Sequence, residues 1–179
     1  FYSRTGEGEP LLLIQGLSGT HASWGPDFLD ALGPGLELIA YDHRGIGDSG
    51  AIDGPFTIPD LARDAAELLD ALGLESAHVL GISMGGMIAQ ELALGHPERV
   101  RTLTLGCTYP GGPQSRITDQ ATVQRLLAGF ASGDAAVILR TSFDVNVSPE
   151  YAARHGAWAR FRAIALSAPP PLPVLSEQP

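Results

Sequence analysis

The chain has 179 residues, 44% of them hydrophobic, and a mean hydropathy of +0.09. That describes a soluble globular protein with one sizeable core, and no apolar run approaches the ~20 residues needed to span a membrane. A formal net charge of −9 argues against nucleic acid as a partner, because phosphate binding needs a basic face. All 11 basic residues are arginines, which excludes a Ser–Lys dyad and Schiff-base chemistry. The five histidines (His21, His43, His78, His96 and His155) stand too far apart for metal-ligand spacing, and the lone Cys107 cannot close an internal disulfide. No metal or cofactor is implied, and the cytoplasm is the default compartment.

Phe1-Tyr2-Ser3-Arg4 resembles the tail of an early strand. Leu11–Ile14 is a short continuous apolar run, the pattern of a strand buried on both faces, and the glycine-rich turn Gln15-Gly16-Leu17-Ser18-Gly19 follows it. A short helix is expected around Phe28–Leu32, then a second strand at Leu36–Tyr41. Asp42-His43-Arg44-Gly45 follows as a loop, with Asp42 and Arg44 bracing it. Ile58, Leu61, Ala65, Leu68, Leu69 and Leu72 recur at helical spacing. Thr57-Ile58-Pro59-Asp60 reads as a capping box that opens this helix, and Gly73 closes it. A third strand, His78–Ile82, leads into a helical pattern from Met87 to Leu94, which Gly95-His96-Pro97 stops; a fourth strand spans Arg101–Gly106. Strand alternating with helix means an α/β domain, a parallel sheet flanked by helices.

Beyond Gly106 the rhythm changes. Helical patterns at roughly 118–131, 134–143 and 149–166 follow one another without a strand. The expected division is a core over 1–112, a helical lid over 113–167, and a Pro-rich disordered tail over 168–179. Pro170 and Pro173 in that tail fit a P-x-x-P docking pattern, with a flexible end as the plainer reading.

The chemistry concentrates at Gly81-Ile82-Ser83-Met84-Gly85, where an apolar strand runs straight into a helix. A turn that tight needs small flanking residues, so Gly81 and Gly85 read as steric clearances and Ser83 as a nucleophile with an exposed hydroxyl. The helix N-terminus behind it suits a developing oxyanion. One oxyanion donor is the Met84 N–H, and the other candidate is the Leu17 N–H, with Gly16 turning the backbone toward the substrate. Gly16, Ser18, His21, Cys107 and Thr108 are pocket-lining candidates, although burial alone could also explain Cys107. His21 and His155 are the only histidines that could serve as a base, and for each a loop or surface position is the blander reading. Asp42 after a glycine turn also invites a dinucleotide-binding reading, but the turn lacks Gly-x-Gly-x-x-Gly.

Four segments, in order and register, resemble the α/β-hydrolase superfamily in its small-molecule esterase, enol-lactonase and cofactor-free haloperoxidase-like branch. They are Leu12–Gly19, Tyr41–Ser49, Gly81–Gln90, and His96–Val100 leading into Leu103-Thr104-Leu105. The resemblance covers about residues 8–112 and implies a Ser–acid–His triad in that chain order. It implies hydrolysis of a small ester or lactone through an acyl-serine, with no cofactor; a perhydrolase on the same site and a non-catalytic ligand-binding fold are the alternatives. Gln15 stands where the family more often has His. No strand-then-Gly-x-x-Asp pattern and no late Gly-His pair follow the helices, so neither the triad acid nor the triad His is identified. The chain is therefore expected to be a piece of a hydrolase with little activity, and its uncovered sheet edge to favour self-association.

Overall fold

The computed structural model describes residues 1–52, 54–113, 115 and 119–167; the proposed tail lies outside the described residues. Five strands form one sheet. In chain order they are β1 (Tyr2–Gly6), β2 (Gly8–Ile14), β3 (Gly35–Tyr41), β4 (Ala77–Ile82) and β5 (Val100–Gly106), and in space β1-β3-β2-β4-β5. Pairing is parallel between β2 and β3, β2 and β4, and β4 and β5. β1 runs antiparallel to β3, Tyr2 opposite Tyr41 and Gly6 opposite Glu37. The sheet is thus mixed rather than purely parallel, because β1 and β2 lie head to tail on either side of β3.

The connecting helices are α1 (Pro26–Ala31), α2 (Ile58–Ala71) and α3 (Met84–Gly95). From β2 the chain steps outward to β3, then returns past β2 to β4 and continues to β5. Parallel crossovers are right-handed, so this reversal sends α1 to one face of the sheet and α2 and α3 to the other. The packing agrees. Leu12, Ile14, Ile39, Tyr41 and Val79 meet Leu61, Leu69, Ile88 and Leu92 on one face. Leu11, Leu13 and Ala40 meet Trp24 and Leu29 on the other. Adjacent β2 residues point to opposite faces, so both layers bury a share of one strand.

The capping box forms as read: the Thr57 N–H donates to Asp60 Oδ2 at 2.9 Å. α3 begins at Met84 rather than Met87, because the elbow turns directly into the helix. The late helices are α4 (Gln120–Ala131), α5 (Ala135–Asn146), α6 (Pro149–Ala152) and α7 (Ala157–Ser167). The expected helix over 149–166 is therefore broken, at a turn in which Gly156 takes φ +79°. Phe143 is fully buried against Trp158 and Phe161, and Ile164 of α7 packs close to Gly25. β5 is a sheet edge on which Leu103 and Leu105 remain exposed. Among the described residues no helix is long and apolar enough to cross a membrane.

Leu69 is wholly inaccessible in the layer between α2 and the sheet. Leu69→Ala should lower the free energy of unfolding by about 2–5 kcal/mol, read from the urea midpoint, through lost burial and a residual cavity.

Candidate active site

β2 and β4 are neighbours, and the chain leaves them toward opposite faces of the sheet. A crevice opens between such strands at their carboxyl ends, and open α/β sheets bind ligands there. Ser83 follows β4 at one lip of this crevice, and Gln15–Gly19 follows β2 at the other.

Ser83 has φ 53° and ψ −124°, a backbone that an L-residue rarely adopts. The turn brings three segments together so closely that side chains must be absent. A Cβ on Gly81 would stand 2.3 Å from the Gly85 carbonyl oxygen; one on Gly85 would stand 2.2 Å from that of Ile14 and 2.4 Å from that of Gln15. A Cβ on Gly16 would come within 3.0 Å of Ser83 Cβ. The end of β2 thus lies directly against the serine.

Ser83 is exposed, and among the described residues its hydroxyl has no hydrogen-bond partner. The Met84 amide follows it directly, and the Leu17 amide follows Gly16, the residue that lies against the serine. The Met84 N–H occupies the first position of α3, where a helix offers no acceptor, and the helix dipole adds positive character there. The Leu17 N–H lies in a turn closed by Gly19 N–H donating to the Gly16 oxygen at 3.1 Å, with Ser18 at φ 59°. Neither amide has an acceptor among the described residues.

Buried polar groups brace this turn. The Asp42 carboxylate is fully enclosed. It accepts the His21 N–H at 2.6 Å, the Asp48 N–H at 2.9 Å and the His21 ring Nδ1 at 2.8 Å. One carboxylate therefore ties the loop after β2 to the loop after β3. Ligand-type atoms of His21, Asp42 and Asp48 lie within 4.8 Å of one another, but Asp42 already spends its oxygens on those N–H groups. His43 Nε2 donates to the Gln15 oxygen at 2.9 Å, and Gln15 Oε1 accepts the Gly16 N–H at 3.1 Å. Arg44 makes a two-point ion pair with Asp64, fastening the same loop to α2.

The other singled-out residues are distributed as follows. His21 is held at the end of β3, and β2 separates that strand from the one bearing Ser83; at ~4.8 Å per strand that is roughly 10 Å. His155 is exposed in the turn between α6 and α7. Cys107 is exposed with φ 41°, which rules out burial as its role. Thr108 donates its hydroxyl to the Ser83 carbonyl oxygen at 2.8 Å. Sequence reasoning missed that bond, and also the ring hydrogen bonds of His21 to Asp42 and of His43 to Gln15; each joins residues 20 or more apart, and no local pattern signals them. A cavity of about 350 Å³ beside the crevice is lined by Gln15, Trp24, Leu80, Ile82, Thr104 and Gly106. A larger one of about 510 Å³ lies behind Tyr41, Arg44 and Asp64, away from the serine.

A strand–serine–helix elbow facing a glycine turn at a topological switch point is the local architecture of an α/β-hydrolase core. The pattern describing the alpha/beta hydrolase fold matches residues 9–161, and the chain belongs to that family. A protein of Azorhizobium caulinodans named as the carbamate hydrolase RutD is 48% identical over 105 residues, 59% of this chain and 39% of that protein. The crystal structure named for the non-heme bromoperoxidase BpoC of Mycobacterium tuberculosis superposes with a TM-score of 0.76 at 29% identity, covering all of this chain and 69% of that one. The enol-lactonase of Burkholderia xenovorans gives 0.72 at 27% identity, over 92% of this chain and 63% of its own. The chain spans well under two thirds of the length of the curated relatives it matches.

Burial pushes the His43 ring below the usual histidine range, so at neutral pH the folded ring is uncharged, and among the described residues its Nδ1 has no hydrogen-bond partner. The unfolded ring takes up a proton near pH 6.5, so this stability is complete above that pH and lost as the pH falls below it. Unfolding free energy should drop between pH 7.5 and 5.5 with a slope approaching about 1.4 kcal/mol per pH unit from this group. In His43→Gln, urea midpoints should show a shallower slope than in the wild type; equal slopes would count against the assignment.

Proposed function

We propose that the chain carries the nucleophile and oxyanion hole of a serine hydrolase acting on small carboxylic esters or lactones. The reading rests on one observation: an exposed hydroxyl at a strained turn, with the Gly16 backbone packed against it and the adjacent Met84 and Leu17 amides without an acceptor among the described residues. Ser83 Oγ attacks the substrate carbonyl as its proton passes to water or to an added base, which then protonates the leaving alcohol. The Leu17 and Met84 amides hold the tetrahedral oxygen, the alcohol leaves, and water then releases the acid from the acyl-serine. The cavity of about 350 Å³ is apolar in character and suits a small acyl or alcohol group. Helices α4 to α7 act in this reading as the lid.

Among the described residues no histidine lies within hydrogen-bond reach of Ser83 Oγ. With nucleophile and oxyanion donors and no base among the described residues, residual catalysis over water is expected to be on the order of 10³–10⁴. The names of the relatives favour two variations on the same site: a carbamate carbonyl in place of the ester, as for the Azorhizobium protein, and peroxide in place of water, as for the Mycobacterium structure.

Hydrolysis of p-nitrophenyl butyrate, with and without added imidazole as a surrogate base, tests the proposal. Wild-type protein should show a slow rate that imidazole raises above its own background, and Ser83→Ala should stay at background throughout. Identical rates in both proteins at every imidazole concentration would refute a nucleophilic Ser83.

A further inference from the structure

The Met84 N–H and the Ser83 carbonyl belong to the same peptide unit. A trans peptide is planar, and its N–H and C=O point in opposite directions. Whatever holds the Ser83 oxygen therefore aims the Met84 N–H. The oxygen accepts the Gly86 N–H at 3.0 Å and the Met87 N–H at 3.3 Å, both from the first turn of α3. A third donor, the Thr108 hydroxyl at 2.8 Å, arrives from outside the helix, from the loop after β5.

Three features put Thr108 there. The Ser83 N–H donates to the Gly106 oxygen at 2.9 Å, which carries the β4–β5 ladder up to the elbow. Cys107 takes φ 41°, turning the chain under α3. Gly86 leaves the space: a Cβ on it would lie 2.6 Å from Thr108 Cβ. The loop is fastened again one residue on, where Gln90 Nε2 donates to the carbonyl oxygens of Gly86 at 3.0 Å and Tyr109 at 3.1 Å.

We propose that Thr108 is a positioning residue for the oxyanion hole: its hydroxyl fixes the plane of the Ser83–Met84 peptide and polarises it, so that the Met84 N–H is aimed and strengthened as a donor. A hydrogen bond to the oxygen of an amide draws charge from its nitrogen, and such chains reinforce one another. The inference rests on the hydrolase reading for its functional consequence, but the bond itself does not.

Ser83-Met84 is the single Ser-Met step in the sequence. Protein labelled with ¹³C-carbonyl serine and ¹⁵N methionine therefore yields one cross-peak correlating the two atoms of this peptide. In Thr108→Val, which keeps the shape and loses the hydroxyl, the peak should move, its ¹⁵N shift upfield. In Thr108→Ser it should stay close to the wild-type position; Thr108→Ala serves in place of valine if that variant does not fold. A peak unmoved in valine or alanine, or moved equally in serine, would overturn the proposal. In the butyrate assay Thr108→Val should lower the Ser83-dependent kcat about threefold to tenfold with KM unchanged, and Thr108→Ser should restore it. An unchanged kcat alongside a moved peak would overturn the functional half. A rate indifferent to Ser83→Ala would overturn the hydrolase reading and leave the peptide assignment to the resonance.

Discussion

At Ser83 the backbone must reverse between a strand and a helix within one residue, and it does so in a conformation that disfavours any side chain. Such strain costs on the order of 1–3 kcal/mol and survives only where the surroundings over-determine it. Those surroundings are the apolar layer of α2 and α3 against the sheet, the β5 loop bonded to the elbow, and the glycines at 81, 85 and 16. A side chain at any of these glycines would drive β2, β4 and α3 apart or crowd the serine. The position of Ser83 is a consequence of how closely three backbones approach.

The second lip of the crevice is held differently. The turn after β2 has little apolar surface of its own, and polar groups anchor it: Asp42 through the His21 backbone and ring, and His43 through the Gln15 carbonyl. Burying a carboxylate and an imidazole is costly unless their bonds are made, so these groups tolerate few alternative geometries. The arrangement suits a turn that must present one backbone amide in a fixed direction. It also explains why Asp42-His43-Arg44-Gly45 follows a strand on the far side of β2: each of its first three side chains reaches to another element.

Much of this was legible in the sequence, for reasons that differ by element. Parallel strands write themselves as apolar runs, and all four were found to within a few residues, although β5 is an exposed edge rather than a buried strand. Local chemistry marked the capping box at Thr57 and the elbow at Ser83, because each is decided by residues adjacent in sequence. The antiparallel placement of β1 was not visible, since pairing with β3 is a long-range choice that leaves no trace in Tyr2–Gly6. Neither was the break at Gly156, where the apolar spacing continues across a turn. The contacts of Asp42, His43 and Thr108 join loops that the topology alone brings together. Motif reading could name the residues but not their partners.

The elbow stands on groups present among the described residues. The central claim, that packing stores strain at the serine to present it, can be measured without any catalysis. Urea unfolding of Ser83→Gly and Ser83→Ala compares a residue free to take φ 53° with one that is not. The glycine protein should be more stable than the alanine protein by about 1 kcal/mol, although glycine normally destabilises a fold through the entropy of its unfolded chain. A glycine variant equal to or less stable than the alanine one would mean that the turn at Ser83 is not strained and that the account of the elbow is wrong.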